Sequence, residues 1–323
     1  MRRTYRVAII GCGKVGVLYE GEPRRPKPAS HAGAVRAHAA TDLVAFVDTS
    51  PSALRKAQKL FPGVTAYQSV AECLIQERPD IVIIATPPHA RLEIVRLCID
   101  SGVKALICEK PLAPSTREAR AIARAVSKSH LPFVLNYPRR FSPLFARVRK
   151  EIDTGALGRI QKVVCYYGNG LYNNGGHMMD TLGYLLDDTF SVLWAEHNRQ
   201  AMHPKGDPCI DAALETKKGV KIVLQSLDQN EYGIFDIAIF GTKGERLFTD
   251  YGATLVETRA RASRFKEVRQ LDRAHARISH AGEGQALEEA LRVLAKGEPA
   301  RGAEQGLAVM QILDDIRHAA KIK

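Results

Sequence analysis

The stretch Tyr5-Arg6-Val7-Ala8-Ile9-Ile10-Gly11-Cys12-Gly13-Lys14-Val15-Gly16 sets a short apolar run directly against three glycines spaced Gly-x-Gly-x-x-Gly. A strand ending in such a loop ahead of a helix lets backbone amides approach a pyrophosphate at the helix N-terminus. Alone the spacing is a weak signal, and its neighbours decide it. Further apolar runs follow at Leu43 to Val47, Ile81 to Ala85, Ala105 to Cys108 and Phe133 to Leu135. Helical patterns such as Ser52 to Leu60 and Ala90 to Ser101 lie between them, the latter closed by Gly102. Near-continuous apolar strands alternating with helices predict a doubly wound parallel sheet of the Rossmann kind, in which ligands bind at the carboxyl ends of the strands. The expected first domain covers residues 1–142. Gly11, Cys12, Gly13, Lys14, Val15 and Gly16 are its candidate cofactor loop.

Asp48 closes the second strand, where its carboxylate can accept from the adenosine ribose hydroxyls. It comes 37 positions after Gly11, beyond the usual roughly 20. The excess falls in Tyr19 to Ser30, which holds Pro23, Pro26 and Pro28 and reads as an inserted loop. A carboxylate here would meet the 2′-phosphate of NADP, so NAD is favoured. Arg24, Arg25 and Lys27 in the insertion leave a phosphate contact open beside the alternative of a solvated loop.

After residue 142 the texture changes. Residues 143 to 155 read as a helix. Strand-like runs follow at Ile160 to Tyr167, Ser191 to Glu196, Asp211 to Thr216, Lys221 to Leu227, Phe235 to Phe240 and Arg246 to Thr249. Short turns at Lys217-Lys218-Gly219 and Thr242-Lys243-Gly244 predict a largely antiparallel sheet. Two helical segments, roughly 284 to 296 and 303 to 320, end the chain. Residues 143–323 are thus expected to form an α+β domain, with a cleft between the two domains.

Two clusters carry chemistry. Glu109-Lys110-Pro111 closes a strand at the carboxyl edge of the sheet. Near a cofactor the Lys110 ammonium can hydrogen-bond a substrate hydroxyl and, with its pKa lowered so that it sheds its own proton, help take the hydroxyl's; a surface lysine after a strand is the plain alternative. Pro111 suits a cis peptide, a feature of tight functional turns. Further on, Asn173-Asn174-Gly175-Gly176 leads into His177-Met178-Met179-Asp180 at a helix start. His177 and Asp180 are three apart on one helix face. The histidine can carry a proton near neutral pH with the carboxylate orienting it, although a lone histidine is more often structural.

Gly11 to Gly16, Asp48, Ala85-Thr86-Pro87-Pro88, Glu109-Lys110-Pro111, Asn136 to Phe141 and His177-x-x-Asp180 occur in that order. Together they resemble the family of glucose–fructose oxidoreductase, inositol dehydrogenase and the rhizopine-catabolism protein MocA, nearly end to end. The resemblance implies an NAD(P)-dependent enzyme acting on a sugar, polyol or nucleotide-sugar. It also implies a homodimer or homotetramer formed through the open face of the second sheet. On it, Lys110, His177 and Asp180 are the catalytic candidates. Thr86 and Pro87 would flank the nicotinamide, with Glu109 and Lys110 near its ribose. Arg140, Tyr172 and Asn173 would hold substrate with Lys110, His177 and Asp180. Two positions depart from the family. Asn173 stands where an aspartate is usual, so that either Asp180 or Lys110 supplies the charge or Asn173 only holds a hydroxyl. The histidine expected near position 91 is Arg91, with His89 a weaker match.

The composition, 45% hydrophobic and 25% charged, is that of a globular chain. No apolar run reaches the roughly 18 residues of a membrane span, and the strand begins too early for a signal peptide. The six cysteines lack Cys-x-x-Cys pairing, so neither a disulfide framework nor a metal site is expected, and a cytoplasmic location is. The net charge of +12 is concentrated in Arg259 to Arg277, with seven Arg or Lys. Such a run is usually a solvated face. Attraction of phosphorylated ligands is the second reading, and without interleaved aromatics no nucleic-acid partner is expected.

Overall fold

The computed structural model describes residues 4–201, 204, 206–264, 267–278, 284–297 and 301–322. The chain separates into two compact units, Met1–Pro138 with Gly282–Ala308, and Arg139–Ala281 with Val309–Lys323.

The first unit contains β1 (Tyr5–Ile10), α1 (His31–Ala37), β2 (Thr41–Val47), α2 (Pro51–Leu60), β3 (Thr65–Tyr67) and α3 (Val70–Glu77). It continues through β4 (Ile81–Ile84), α4 (Arg91–Asp100), β5 (Ala105–Glu109), α5 (Thr116–Ser129) and β6 (Phe133–Asn136). Its sheet order is β3-β2-β1-β4-β5-β6, every pair parallel. This is the doubly wound order, whose switch point lies between β1 and β4. β4 and β5 are buried at every position, which is why their sequences run apolar without alternation. Ser30, Ser50, Ser69 and Ser115 each cap a helix by accepting from the amide three residues on.

The second unit begins with α6 (Pro143–Asp153), β7 (Ile160–Tyr167), α7 (Gly176–Leu186) and β8 (Phe190–His197). Then come β9 (Ile210–Thr216), β10 (Lys221–Ser226), β11 (Phe235–Gly241), β12 (Gly244–Thr249), β13 (Thr254–Ala262) and β14 (Arg269–Ile278). Its sheet runs β14-β13-β12-β11-β7-β10-β9-β8. Only β7 and β10 pair in parallel. Strand alternation gives the sheet two faces. Val163, Cys165 and Tyr167 of β7 are buried on one of them, and Phe145 of α6 stacks on Phe248 of β12 there with ring centroids 4.0 Å apart. The other face carries a row in register: Trp194, Ala213, Val223, Val164, Ala238, Leu247 and Val256.

Two helices end the chain, α8 (Gln285–Lys296) and α9 (Gly302–Ala319). A cut at 142/143 would give both to the second domain. Instead α8 packs on β5 and β6 of the first unit. The first turn of α9 belongs there too: a Cβ on Gly302 would meet the Phe133 oxygen and the Leu135 nitrogen of β6. The apolar side of α8 (Ala286, Leu287, Ala290, Val293) is buried, and helical periodicity does not reveal which sheet it covers. The basic stretch, most of whose described positions are exposed as a solvated face would be, also contributes strand. It supplies the end of β13 and nearly all of β14, joined antiparallel. Residues 265–266 of the stretch lie outside the described residues, as do 279–280 just beyond it and 202, 203 and 205 in the loop after β8.

Candidate active site

The glycine loop sits at the switch point. Gly11 has φ +104°, and a Cβ there would lie 2.7 Å from the carbonyl of Ala85 at the end of β4. Only glycine permits both. Gly16 is pressed closer still, since a Cβ there would lie 2.2 Å from the Gly11 oxygen, whereas a Cβ on Gly13 would meet nothing within 4 Å. Asp48 ties the loop to β2: Cys12 N donates to its Oδ2 and Ser50 N to its Oδ1, each at 2.9 Å. The Cys12 thiol, buried beside that carboxylate, is pushed up to about 12, so it serves as packing and not as a nucleophile.

The insertion has a definite place. Val17 N donates to the Gly13 oxygen, beginning a helical turn. After the excursion, His31 N donates to Val15 O at 3.1 Å and Ala32 N to Gly16 O at 3.0 Å. These are the bonds that residues 19 and 20 would make in an unbroken helix. Tyr19 to Ser30 is therefore spliced into the helix that follows the glycine loop. Its cations are largely occupied: Lys27 donates to the carbonyls of Tyr19, Glu20 and Glu22. Arg25 pairs with Glu22 at 2.8 Å and stacks on Tyr19.

The splice delivers His31, which motif reading passed over. It is 1% exposed, and its Nε2 lies 2.8 Å from Glu109 Oε1. Asn136 Nδ2, at the end of β6, donates to the same oxygen at 2.6 Å. Burial alone would raise the Glu109 carboxyl, but the hydrogen bonds from His31 and Asn136 and the charge of Arg91 hold it below the usual range. Lys110 follows directly, and the Lys110–Pro111 peptide is cis. Arg91 Nη1 donates to Glu109 O and Pro111 O. Its Nε and Nη2 donate to Thr86 O at 3.1 and 2.8 Å. Thr86 Oγ1 is buried with no hydrogen-bond partner among the described residues.

These residues fit a dinucleotide. No backbone carbonyl among the described residues accepts from the amides of Gly13, Lys14, Val15 or Gly16. A helix start with open amides beside a glycine that leaves space is a cradle for a pyrophosphate. Among the described residues no group of three or more His, Cys, Asp or Glu side chains is placed to hold a metal ion.

In the second unit, Gly170–Gly175 forms a π-helical turn leading into α7. Asp207, also missed in the sequence, organises it by accepting from Tyr172 N at 2.7 Å and Asn173 N at 2.9 Å. Gly170, at φ +88°, has no room for a side chain beside that carboxylate. Tyr172 donates its hydroxyl to Asp314 at 2.7 Å, and burial with this bond pushes the phenol up to about 12. His177 lies in the first turn of α7, and its carbonyl accepts from Thr181. Asp180 is fully buried and receives Arg140 Nε on both oxygens, at 2.7 and 2.8 Å. Burial pushes the Asp180 carboxyl up to about 6 against the pull of Arg140. The expected carboxylate partner of His177 thus spends its described bonds on Arg140. Arg139 lies over Phe235 and donates to Tyr251 O.

Residues 5–137 match the oxidoreductase family GFO_IDH_MocA, described as having an NAD-binding Rossmann fold. Over that Rossmann segment the chain is similar to the Gfo/Idh/MocA oxidoreductases. Inositol 2-dehydrogenase of Rhizobium meliloti is 25% identical over 264 residues, 75% of this chain and 74% of that protein. Two solved structures share the fold. The WlbA dehydrogenase of Bordetella pertussis, in complex with NADH and UDP-GlcNAcA, has TM-score 0.77 and 19% identity over 99% of this chain and 97% of that one. The 3-ketoreductase KijD10 of Actinomadura kijaniata, in complex with TDP-benzene and NADP, has TM-score 0.74 and 18% identity over 98% of each chain.

Proposed function

We propose that this protein is an NAD-dependent dehydrogenase that oxidises a secondary hydroxyl of a sugar, polyol or nucleotide-sugar, or reduces the corresponding ketone. The observation carrying this reading is the build of the carboxyl edge around Lys110. A lysine there follows a strand buried along its length and is flanked by carbonyls tied to a buried guanidinium. It shares its edge with Thr86 and the glycine loop. A solvated lysine needs none of this anchoring.

Bound NAD supplies the acceptor for the substrate's hydride. Gly11 to Gly16 hold its pyrophosphate and Asp48 its adenosine ribose. Thr86, Pro87 and Glu109 line the nicotinamide half. Asp48, anchored by two backbone amides, meets a 2′-phosphate with like charge, which supports NAD over NADP. Lys110, as the neutral amine, hydrogen-bonds the reacting hydroxyl and takes its proton while the hydride leaves for the bound nicotinamide. His177 is the second acid–base group. Asp180 and Arg140 brace the start of its helix, and Tyr172 and Asn173 are the sugar contacts. Inositol as the substrate of a relative, and a nucleotide-sugar bound by a structural neighbour, support the substrate class. The half-exposed apolar row on the second sheet supports a homodimer or homotetramer.

Lys110→Met tests the assignment, assayed with myo-inositol and a panel of UDP-sugars. Turnover should fall by about 10²–10⁴-fold, the span of acid–base catalysis, with the Kd for NAD within about threefold of the native value. Undiminished turnover would remove Lys110 from the mechanism.

A further inference from the structure

Arg91 is 2% exposed, and a guanidinium so placed must find its partners inside the protein. Those partners are three carbonyls from two segments. Glu109 O and Pro111 O lie on either side of Lys110, and Thr86 O lies at the end of β4. Among the described residues no carboxylate forms an ion pair with it. The nearby negative charge is the Glu109 carboxylate, which the guanidinium helps to keep ionised. Arg91 opens α4, whose buried face also includes Ile94, Val95 and Cys98, so the side chain starts from a packed helix.

We propose that Arg91 is the positioning residue for Lys110: its guanidinium clamps the backbone before and after the lysine and ties it to the Thr86 segment. The chemistry requires this residue type. Arginine offers five N–H donors in a planar fork, whereas a lysine ammonium is a single point on a flexible stem. One fork reaches Thr86 with Nε and Nη2 while Nη1 serves Glu109 and Pro111. Lys110 is thereby held in register with the strand end on the other side of α4's start. The functional weight of the clamp rests on the reading of Lys110 as the acid–base group; the clamp itself does not.

The test uses the full-length protein saturated with NAD, its lysines reductively methylated with ¹³C-formaldehyde and followed by NMR across pH. Lys110→Met assigns the Lys110 signal. In Arg91→Gln the Lys110 signal should move and its titration midpoint shift by at least about 0.5 pH unit, with the other lysines unchanged. Arg91→Lys, which keeps the charge without the fork, should restore only part of the native behaviour. It also decides the matter alone if the glutamine variant does not fold. Turnover should drop at least tenfold in either folded variant, with NAD affinity changed less than fivefold. A Lys110 signal and midpoint identical to native in a folded variant would overturn the proposal, as would a uniform shift of all lysines. Undiminished turnover by Lys110→Met would instead fail the catalytic assignment, leaving the NMR comparison to decide the clamp.

Discussion

Asp180 and Arg140 form the most consequential ion pair of the second unit, because the carboxylate is fully buried. Removing one partner of such a pair leaves the other's charge unsolvated, at a cost of about 3–5 kcal/mol. Arg140→Met should therefore lower stability by about that amount at pH 8. The pH dependence follows from the direction of the Asp180 shift. Its folded value, about 6, lies above its ordinary 3.8. The folded chain thus holds a proton that the unfolded chain has released, and that contribution is full below the ordinary value and lost as pH rises through about 6. Without Arg140 the carboxyl climbs further, and the penalty for ionising it grows. The deficit of the variant should be largest at pH 8 and shrink toward pH 5 in urea melts; a deficit that is flat or grows on acidification would refute the ion-pair account. None of this was readable in His177-x-x-Asp180, where spacing paired the carboxylate with the histidine. Side-chain direction settled the partner, and a helix start offers more than one.

The glycine loop and the apolar strands were legible because their constraints are local: close backbone approach needs glycine, and burial on both faces needs unbroken hydrophobicity. The helix after the loop was not. His31 takes up the Val15 carbonyl as residue 19 would, so removing the twelve residues Tyr19 to Ser30 rejoins one helix without a register error. The insertion's inner contacts, Glu20 with Ala29 N and Ser30 Oγ, leave together with it. Deleting 19–30 should keep stability in urea melts within about 1 kcal/mol, since a surface excursion adds little to loop-closure cost. It should also keep the Kd for NAD within about threefold. A chain that no longer folds, or loses NAD, would mean that the excursion supports the cofactor loop. The same disguise hid His31 from the sequence: it stands beside Glu109 only once the splice is recognised. Arg91 was hidden for a different reason, since carbonyl acceptors leave no mark on residue identity. β13 escaped too, because its charged and apolar positions alternate along a segment that composition alone reads as a solvated face.

At the scale of the molecule, the second sheet carries an apolar row that its own chain does not fully cover. Trp194 is 48% exposed, and Ala213, Val223, Val164, Leu247 and Val256 in the same row are half-buried. A row crossing seven strands is broad and continuous, unlike the scattered apolar residues of an ordinary surface. A sheet face of this kind can meet a second copy of itself about a two-fold axis, each row lying against its counterpart. The edge strands do not offer that area, and β14 at one edge is rich in arginine, which discourages strand-to-strand addition. Val164 is near the middle of the row, so Val164→Glu would place two carboxylates in a dry interface, close to each other across the axis. The native protein should sediment as a dimer or tetramer. The variant should dissociate with an affinity weaker on the order of 100-fold, about 3 kcal/mol, while its melting profile as a monomer stays cooperative. A native protein that sediments as a monomer at micromolar concentration would exclude the interface, and the row would then need another partner to explain its exposure.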